Sequence, residues 1–445
     1  MPLSHQVLIA GTAAIEVLAL RRLRFGWFFV ALVLAGLLVE VSYLAYTPMT
    51  KRGYDSLSHV FYIDHLIEQL RLPPLDILCT TCGHPPLYYA LAALWSKVVL
   101  ANGWIPRELG LQWLSLLLSF AFVVFSLLLL RTFVERLATL RLAAALVVFW
   151  PSGILNSVRV HNDALASVLM IASMYFIAQW DRQGRRRDFH FALGGCALAL
   201  LTKATGYTVT ATLLLVVALR LRSTHFSREN IRQAVVAVTV LTAAALLPTA
   251  LRGSAGPPTL CERVLGGACF VPPEAFVSNR PINYLYFDVP GFLRDTNSMS
   301  YPPQQDYFWN GLAKSSLFGV TPLGSDFVGA HYQRLALLLS VLLLAMVAVC
   351  IATLPLAKAA SWREHRTLVI ACASMLLFLA AFRIVLPTPF HEDFRHVFPV
   401  LVQFCLLYGK GVERIARWSS VAGKAGIGIG ILMMAASVAF FLRLP

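Results

Sequence analysis

Apolar runs, each near the roughly 20 residues that cross a bilayer as a helix, alternate with short polar clusters along the whole chain. The runs at 26–46, 110–130, 142–155, 163–180, 189–203, 206–219, 234–251, 335–354, 367–385, 398–407 and 426–441 predict an all-α polytopic membrane protein of about eleven transmembrane helices. For residues 1–20 an interfacial helix, an extra span and a signal-like segment stay open. No small-residue cleavage pattern follows, which favours a retained helix. The polar stretch 52–89 breaks the alternation. Leu57, Val60, Ile63, Ile67 and Leu70 recur there at three- and four-residue steps, so an amphipathic helix follows Asp55, with Asp55, Ser56 and His59 expected near water. Pro85 and Pro86 then open a second apolar segment, 85–101. It reads as a juxtamembrane helix, because as a span it would carry the basic 131–141 loop to the wrong side.

Charge fixes the direction of the spans. Of 445 residues 58% are hydrophobic and 13% charged, which no soluble globular domain sustains. The net charge of +15 would suit nucleic acid. Its basic residues instead sit in short loops at 21–24, 131–141, 182–187, 220–232, 358–366 and 410–424, the positive-inside pattern, so no nucleic-acid partner is expected. With those loops inside, 48–109 becomes an outer loop and 252–332 a second, spanless one. The second is rich in proline and aromatic residues and nearly balanced in charge, as a functional loop or small cap would be. The chain thus divides into a transmembrane core at 1–251, an outer cap at 252–332 and C-terminal helices at 333–445. No internal repeat points to a transporter of paired halves.

Both outer segments carry a cysteine pair, on the side where disulfides persist. Cys261 and Cys269 are expected to be bridged. Cys79 and Cys82 form a C-x-x-C for which a bridge, free thiols and metal ligation stay open. Cys196, Cys350, Cys372 and Cys405 lie in spans as packing residues.

The ionisable chemistry collects on the outer face in four groups. The first is Asp55, His59, Asp64, His65 and His84; the second Arg159, His161, Asn162 and Asp163; the third Lys203; the fourth the run from His391 and Glu392 through Asp393 to Arg395 and His396. Such residues near membrane depth are functional candidates by default. Simpler roles stand beside that one. Asp55 and Asp163 suit helix N-caps, Lys203 could snorkel, and Arg395 could pair with its neighbouring acids. Taken together, an acid can accept a proton from an acceptor hydroxyl while cations hold a leaving phosphate. The chain has no Walker-type loop and no G-x-G-x-x-G, so a nucleotide donor has no cradle.

An acid soon after the first span, then H-P-P-L-x-Y at 84–89, R-x-H-N-D-A-L at 159–165, L-T-K at 201–203 and F-R-H-x-F-P at 394–399, resembles the GT-C glycosyltransferases that use polyprenyl-phosphate sugars. The resemblance covers most of the chain and is strongest to the branch of protein O-mannosyltransferases and lipid A aminoarabinose transferases. It implies Asp55 and Asp163 as catalytic acids. It implies Arg159, Lys203 and Arg395 as donor-phosphate ligands, with His59, His84, Tyr88, His161, Asn162, His391 and Glu392 around the substrates. Ser56 departs from the family, which often has a second acid there. The 252–332 loop is also too short for the β-trefoil of eukaryotic mannosyltransferases.

The expectation is an inverting transferase that moves a sugar from a polyprenyl-phosphate carrier to a hydroxyl of a protein, lipid or glycan. It would sit among the lipids of a bacterial inner membrane with its site on the periplasmic face. A flippase for an anionic lipid and a metal-dependent lipid phosphotransferase or phosphatase are the alternatives. A divalent metal on Asp55, His59 and Asp163 stays open, since no full ligand set is visible.

Overall fold

The computed structural model describes residues 3–50, 55–74, 79, 81–101, 103–223, 227–252, 277–294, 307–319, 330–355, 364–387 and 391–442. Every regular element among them is helical. The first eleven helices are α1 (Leu3–Arg22), α2 (Trp27–Ala45), α3 (Ser56–Gln69), α4 (Leu87–Val98), α5 (Arg107–Phe133), α6 (Leu137–Val148), α7 (Pro151–Ser157), α8 (Asp163–Gln183), α9 (Arg186–Leu200), α10 (Gly206–Ser223) and α11 (Arg228–Ala250). After them come short helices at Ile282–Leu285 and Val289–Arg294, then longer ones at Phe308–Phe318, Ala330–Thr353, Arg366–Val385, Val400–Trp418 and Ser420–Leu442.

Each expected span is present as a helix, but the count of eleven membrane crossings is not reached. Eight helices among the described residues are long and apolar enough, or nine if α6 and α7, bent by 48° at Pro151, act as one. The protein is an integral membrane protein on that evidence. Two helices fall short for different reasons. The α9 helix has 15 residues, a rise of about 22 Å, less than the hydrocarbon core. Val400–Trp418 carries Lys410, Glu413, Arg414 and Arg417 in its second half, where a lipid-exposed helix would be penalised.

The core is a continuous packing of apolar side chains in which α8 lies against α5 and α9, and the Val400–Trp418 helix against α6. A smaller cluster joins α3, α4 and the start of α5 through Tyr62, Ile63, Tyr88, Tyr89, Ala92 and Leu111. Here α3 departs from the expected orientation at its ends, while Ile63 is buried as expected. Ser56 and His59 are 2% and 1% exposed, whereas Leu57 and Leu70 are 66% and 82% exposed. At a lipid interface single apolar side chains such as Leu57 can turn outward while neighbouring polar ones face the protein.

Part of the long segment between α11 and Ala330–Thr353 also enters the body. The Phe308–Phe318 helix packs on α7 and on the 3-10 turn Phe394–Val397. Trp150 Nε1 donates to the Ser316 carbonyl at 2.7 Å, and the Phe394 N–H to Ser315 Oγ at 2.9 Å. Cys261 and Cys269, and with them the expected bridge, lie outside the described residues. The Cys79–Cys82 bridge is formed. Its turn is held by Arg252, whose Nη2 donates to the carbonyls of Cys82 and His84 at 2.5 and 3.2 Å.

Candidate active site

Four chain segments converge where the sequence placed its polar groups. Asp55 stands at the N-terminus of α3, Asp163 at that of α8, Lys203 in the turn between α9 and α10, and Arg395 in the 3-10 turn Phe394–Val397. Leu87 N–H donates to the Leu201 carbonyl at 3.0 Å, which ties the H-P-P-L segment to the L-T-K turn.

Asp55 occupies an N-cap position but makes no side-chain cap bond. Its Oδ2 lies 3.4 Å from His59 Nε2 and 3.7 Å from Arg395 Nη1. Burial alone would raise the Asp55 pKa. The neighbouring His59 and Arg395, with His161 further off, outweigh it and hold the carboxyl well below the usual carboxylate range. His59 Nδ1 is 2.9 Å from the Tyr89 hydroxyl. With the tyrosine O–H donating there, Nε2–H is left to donate to Asp55. Tyr62 stacks on Tyr89 at 3.7 Å between ring centroids and so holds the hydroxyl in place.

Asp163, 5% exposed, is ringed by cationic and imidazole nitrogens. Its Oδ1 meets Lys203 Nζ at 2.5 Å and lies 3.9 Å from His396 Nδ1; its Oδ2 lies 3.5 Å from His161 Nδ1 and 3.8 Å from Arg395 Nε. Lys203 therefore reaches inward to an acid and does not snorkel. Arg395 is oriented by Asp393, whose Oδ2 forms an ion pair with its Nε at 2.9 Å and whose Oδ1 accepts from its backbone N–H at 3.0 Å. A single guanidinium thus touches three carboxylates from three segments. A narrow cavity of about 30 Å³, lined by Ser115, Asn156, His161, Asp163 and Arg395, opens beside it.

The other candidates divide. His161 and Asn162 are buried beside Asp163, with Asn162 Nδ2 donating to the Thr202 carbonyl at 3.4 Å. Burial lowers the His161 pKa against the pull of Asp163. Arg159 is buried behind the cluster, with burial lowering its pKa; Asp393 and Asp55 act on it in the opposite sense. The His84 ring lies parallel to His59 at 6.5 Å, and Tyr88 meets His59 edge-on at 6.3 Å. His391 and Glu392 are engaged elsewhere. His391 Nδ1–H donates to the Leu386 carbonyl, and Glu392 forms a fully buried ion pair with Arg383 at 2.8 Å. Asp64 is bound to Arg107.

Related architectures exist among solved structures. The oligosaccharyltransferase of Archaeoglobus fulgidus, crystallised in complex with Zn and sulfate, aligns with 93% of this chain over 53% of its own length, with a TM-score of 0.54 and 11% identity. The two share a fold. The apo form of that enzyme gives a TM-score of 0.50 at 11% identity, over 94% of this chain and 56% of its own. ArnT from Cupriavidus metallidurans bound to undecaprenyl phosphate aligns more loosely, at TM-score 0.42 and 14% identity, over 92% of this chain and 77% of its own. The chain spans about half the length of the oligosaccharyltransferase it matches. Its sequence matches no family model and no curated protein.

Two members of this site had no role assigned from sequence, Tyr89 and His396, and Asp393 was named only as a neighbouring acid that could pair with Arg395. Asp393 and His396 were visible as near neighbours of Arg395. Tyr89 is the closing residue of the H-P-P-L-x-Y segment, but nothing in the sequence tied its hydroxyl to His59.

The metal reading can be tested on the donor set. No group of three His, Cys, Asp or Glu side chains among the described residues is arranged to hold an ion. Arg395 lies between Asp55 and Asp163, so in this arrangement the donors do not fit a metal.

Proposed function

We propose that the chain is a membrane glycosyltransferase that moves a sugar from a polyprenyl-phosphate carrier to an acceptor hydroxyl, with inversion at the anomeric carbon. The acceptor O–H gives its proton to Asp55 as its oxygen bonds to the anomeric carbon. The bond from that carbon to the phosphate oxygen breaks, and the electron pair leaves with the polyprenyl phosphate. Arg395, Lys203 and Arg159 are the cations for the departing charge. The site faces the exterior of a bacterial inner membrane, opposite the basic loops. The ArnT structure bound to undecaprenyl phosphate and the archaeal enzyme solved with a dolichol-phosphate carry ligands of the same chemical class.

The observation that carries this reading is the meeting of both acids on one guanidinium, 3.7 Å from Asp55 and 3.8 Å from Asp163. A carboxylate held far below its usual pKa is a weak base. A donor phosphate offers Arg395 a bidentate partner. Drawing the guanidinium toward phosphate weakens its hold on Asp55 and raises the basicity of that acid when the sugar is in place. The histidine behind Asp55, its tautomer set by Tyr89, keeps the carboxylate aimed throughout.

The deciding experiment is Asp55→Asn, assayed for transfer from a labelled polyprenyl-phosphate sugar. Asparagine keeps the shape and the N-cap preference. The variant should fold, bind the donor and lose roughly 10²-fold or more in transfer rate. Transfer at the parental rate would end the assignment of Asp55 as base.

A further inference from the structure

At the far end of the bundle the basic loops do more than mark orientation. They enclose a cavity of about 760 Å³, between the end of α5, the end of α8, the start of the Arg366–Val385 helix and the second half of Val400–Trp418. It is remote from the reaction described above. The 19 residues from Asp163 to Arg182 along α8 put Arg182 about 28 Å away from the catalytic acids.

The charges around this cavity are unequally served. Glu413 is taken up by Arg136 at 3.0 Å, Arg417 at 2.7 Å and the Thr139 hydroxyl at 2.8 Å. Arg131, Arg182 and Lys410 have no carboxylate within ion-pair distance among the described residues. Arg131 reaches the Leu23 carbonyl at 3.3 Å, and Arg182 lies over the Phe133 ring at 5.3 Å. Lys410 Nζ donates to His365 Nε2 at 2.6 Å, a nitrogen that can accept only from a neutral ring. Glu135 and Glu364 also line the cavity and, with Glu413, act on Lys410 from a distance, but Arg131, Arg136, Arg182, Lys410, Arg414 and Arg417 outnumber these three acids, so the lining is a net positive receptor for an anion. Trp418, 78% exposed, stands on the rim, where an indole marks a membrane–water interface. The volume suits a headgroup rather than a bare ion.

We infer that this cavity binds a phosphate-bearing anion through Arg131, Arg182 and Lys410, presented by a glycerophospholipid of the leaflet on that side. The chains of the lipid pass Trp418 into the bilayer, and its phosphate ties α5, α8 and the Val400–Trp418 helix together at the end away from the catalytic acids. A soluble phosphate would meet the same three cations, so the test separates the two sources.

Parent protein released from nanodiscs of mixed phosphatidylcholine and phosphatidylglycerol should retain phosphatidylglycerol selectively in native mass spectrometry. Arg182→Gln with Lys410→Gln should cut that preference about 10-fold or more, from two lost cation contacts. The charge-conserving pair Arg182→Lys and Lys410→Arg should keep it, which separates charge from folding. General attraction to anionic lipid would survive in the glutamine pair and overturn the site. Thermal stability in phosphatidylcholine nanodiscs with millimolar inorganic phosphate reads the second source. A phosphate-dependent rise lost in the glutamine pair, without phosphatidylglycerol preference, would support the anion site and overturn its lipid source. Neither preference nor rise would overturn the inference.

Discussion

Arg395 Nη1 lies 3.7 Å from Asp55 Oδ2 while its Nε lies 2.9 Å from Asp393 Oδ2. One planar group thereby joins α3 to a turn some 340 residues later in the chain. A point charge cannot make both contacts. Arg395→Lys should leave a folded protein whose KM for the polyprenyl-phosphate donor rises and whose kcat falls by about 10-fold or more, the scale of one lost oriented cation in a transition state. Steady-state kinetics at varied donor concentration measures both. Unchanged constants would reduce Arg395 to a structural clamp.

Asp163 should behave differently from Asp55. Its Oδ1 compensates a buried Lys203, and removing one partner of such a pair strands a charge, at a cost of about 3–5 kcal/mol. Asp163→Asn should lower the unfolding temperature as well as the transfer rate. Asp163→Asn combined with Lys203→Met should recover much of the stability and none of the transfer. A single variant as stable as the parent, yet inactive, would make Asp163 a rival for the base.

Glu392 was expected at the substrate, and its geometry predicts a separable defect. It pairs with Arg383 at full burial, and a Cβ on Gly311 would collide with its side chain. Glu392→Ala and Gly311→Ala should each destabilise the fold, the former by about 3–5 kcal/mol. Acceptor KM per folded molecule should stay unchanged. A raised acceptor KM at parental stability would return Glu392 to the substrate site.

Acid should loosen the protein through His391. Burial pushes its ring down to about 4, against the hydrogen bond to the Leu386 carbonyl. Burial and the neighbouring Lys203 push His84 the same way, to about 3. Between the ordinary value of about 6.5 and those values the unfolded chain takes a proton that the native chain refuses, so stability falls as pH falls. His391 alone contributes up to about 1.4 kcal/mol per pH unit in that window. Unfolding temperatures measured from pH 7 to pH 4 should decline, and His391→Asn should flatten the slope. An equal slope in parent and variant would remove His391 as the cause.

The spans and the site were legible to different degrees. Apolar runs alone located nearly every long helix, because bilayer thickness imposes their length. Asp55, Asp163, Lys203 and Arg395 were legible because a charge at membrane depth needs a reason. The inward turn of Ser56 and His59 was not. Periodicity identifies two faces of α3, but which one meets protein depends on whether the far side is lipid or water. The burial of Phe308–Phe318 was equally hidden. Asn310, Lys314, Ser315 and Ser316 are polar by type and buried by position, and the bonds of Ser315 and Ser316 run to residues far off in sequence. His391 and Arg395 sit four positions apart and face different partners, a distinction that only the 3-10 turn creates.

The Phe308–Phe318 helix and the turn it supports also set a schedule for biogenesis. As the ribosome extends the chain, Asp55 and Asp163 are inserted early, with Lys203 soon after. Arg395 follows only after almost two hundred further residues, and the turn that aims it rests on that helix. A nascent chain halted before residue 395 holds both acids and lacks the guanidinium that joins them. On the proposed reading, the growing protein crosses most of its synthesis without a complete site, which forms only when the last quarter of the polypeptide is laid against the first.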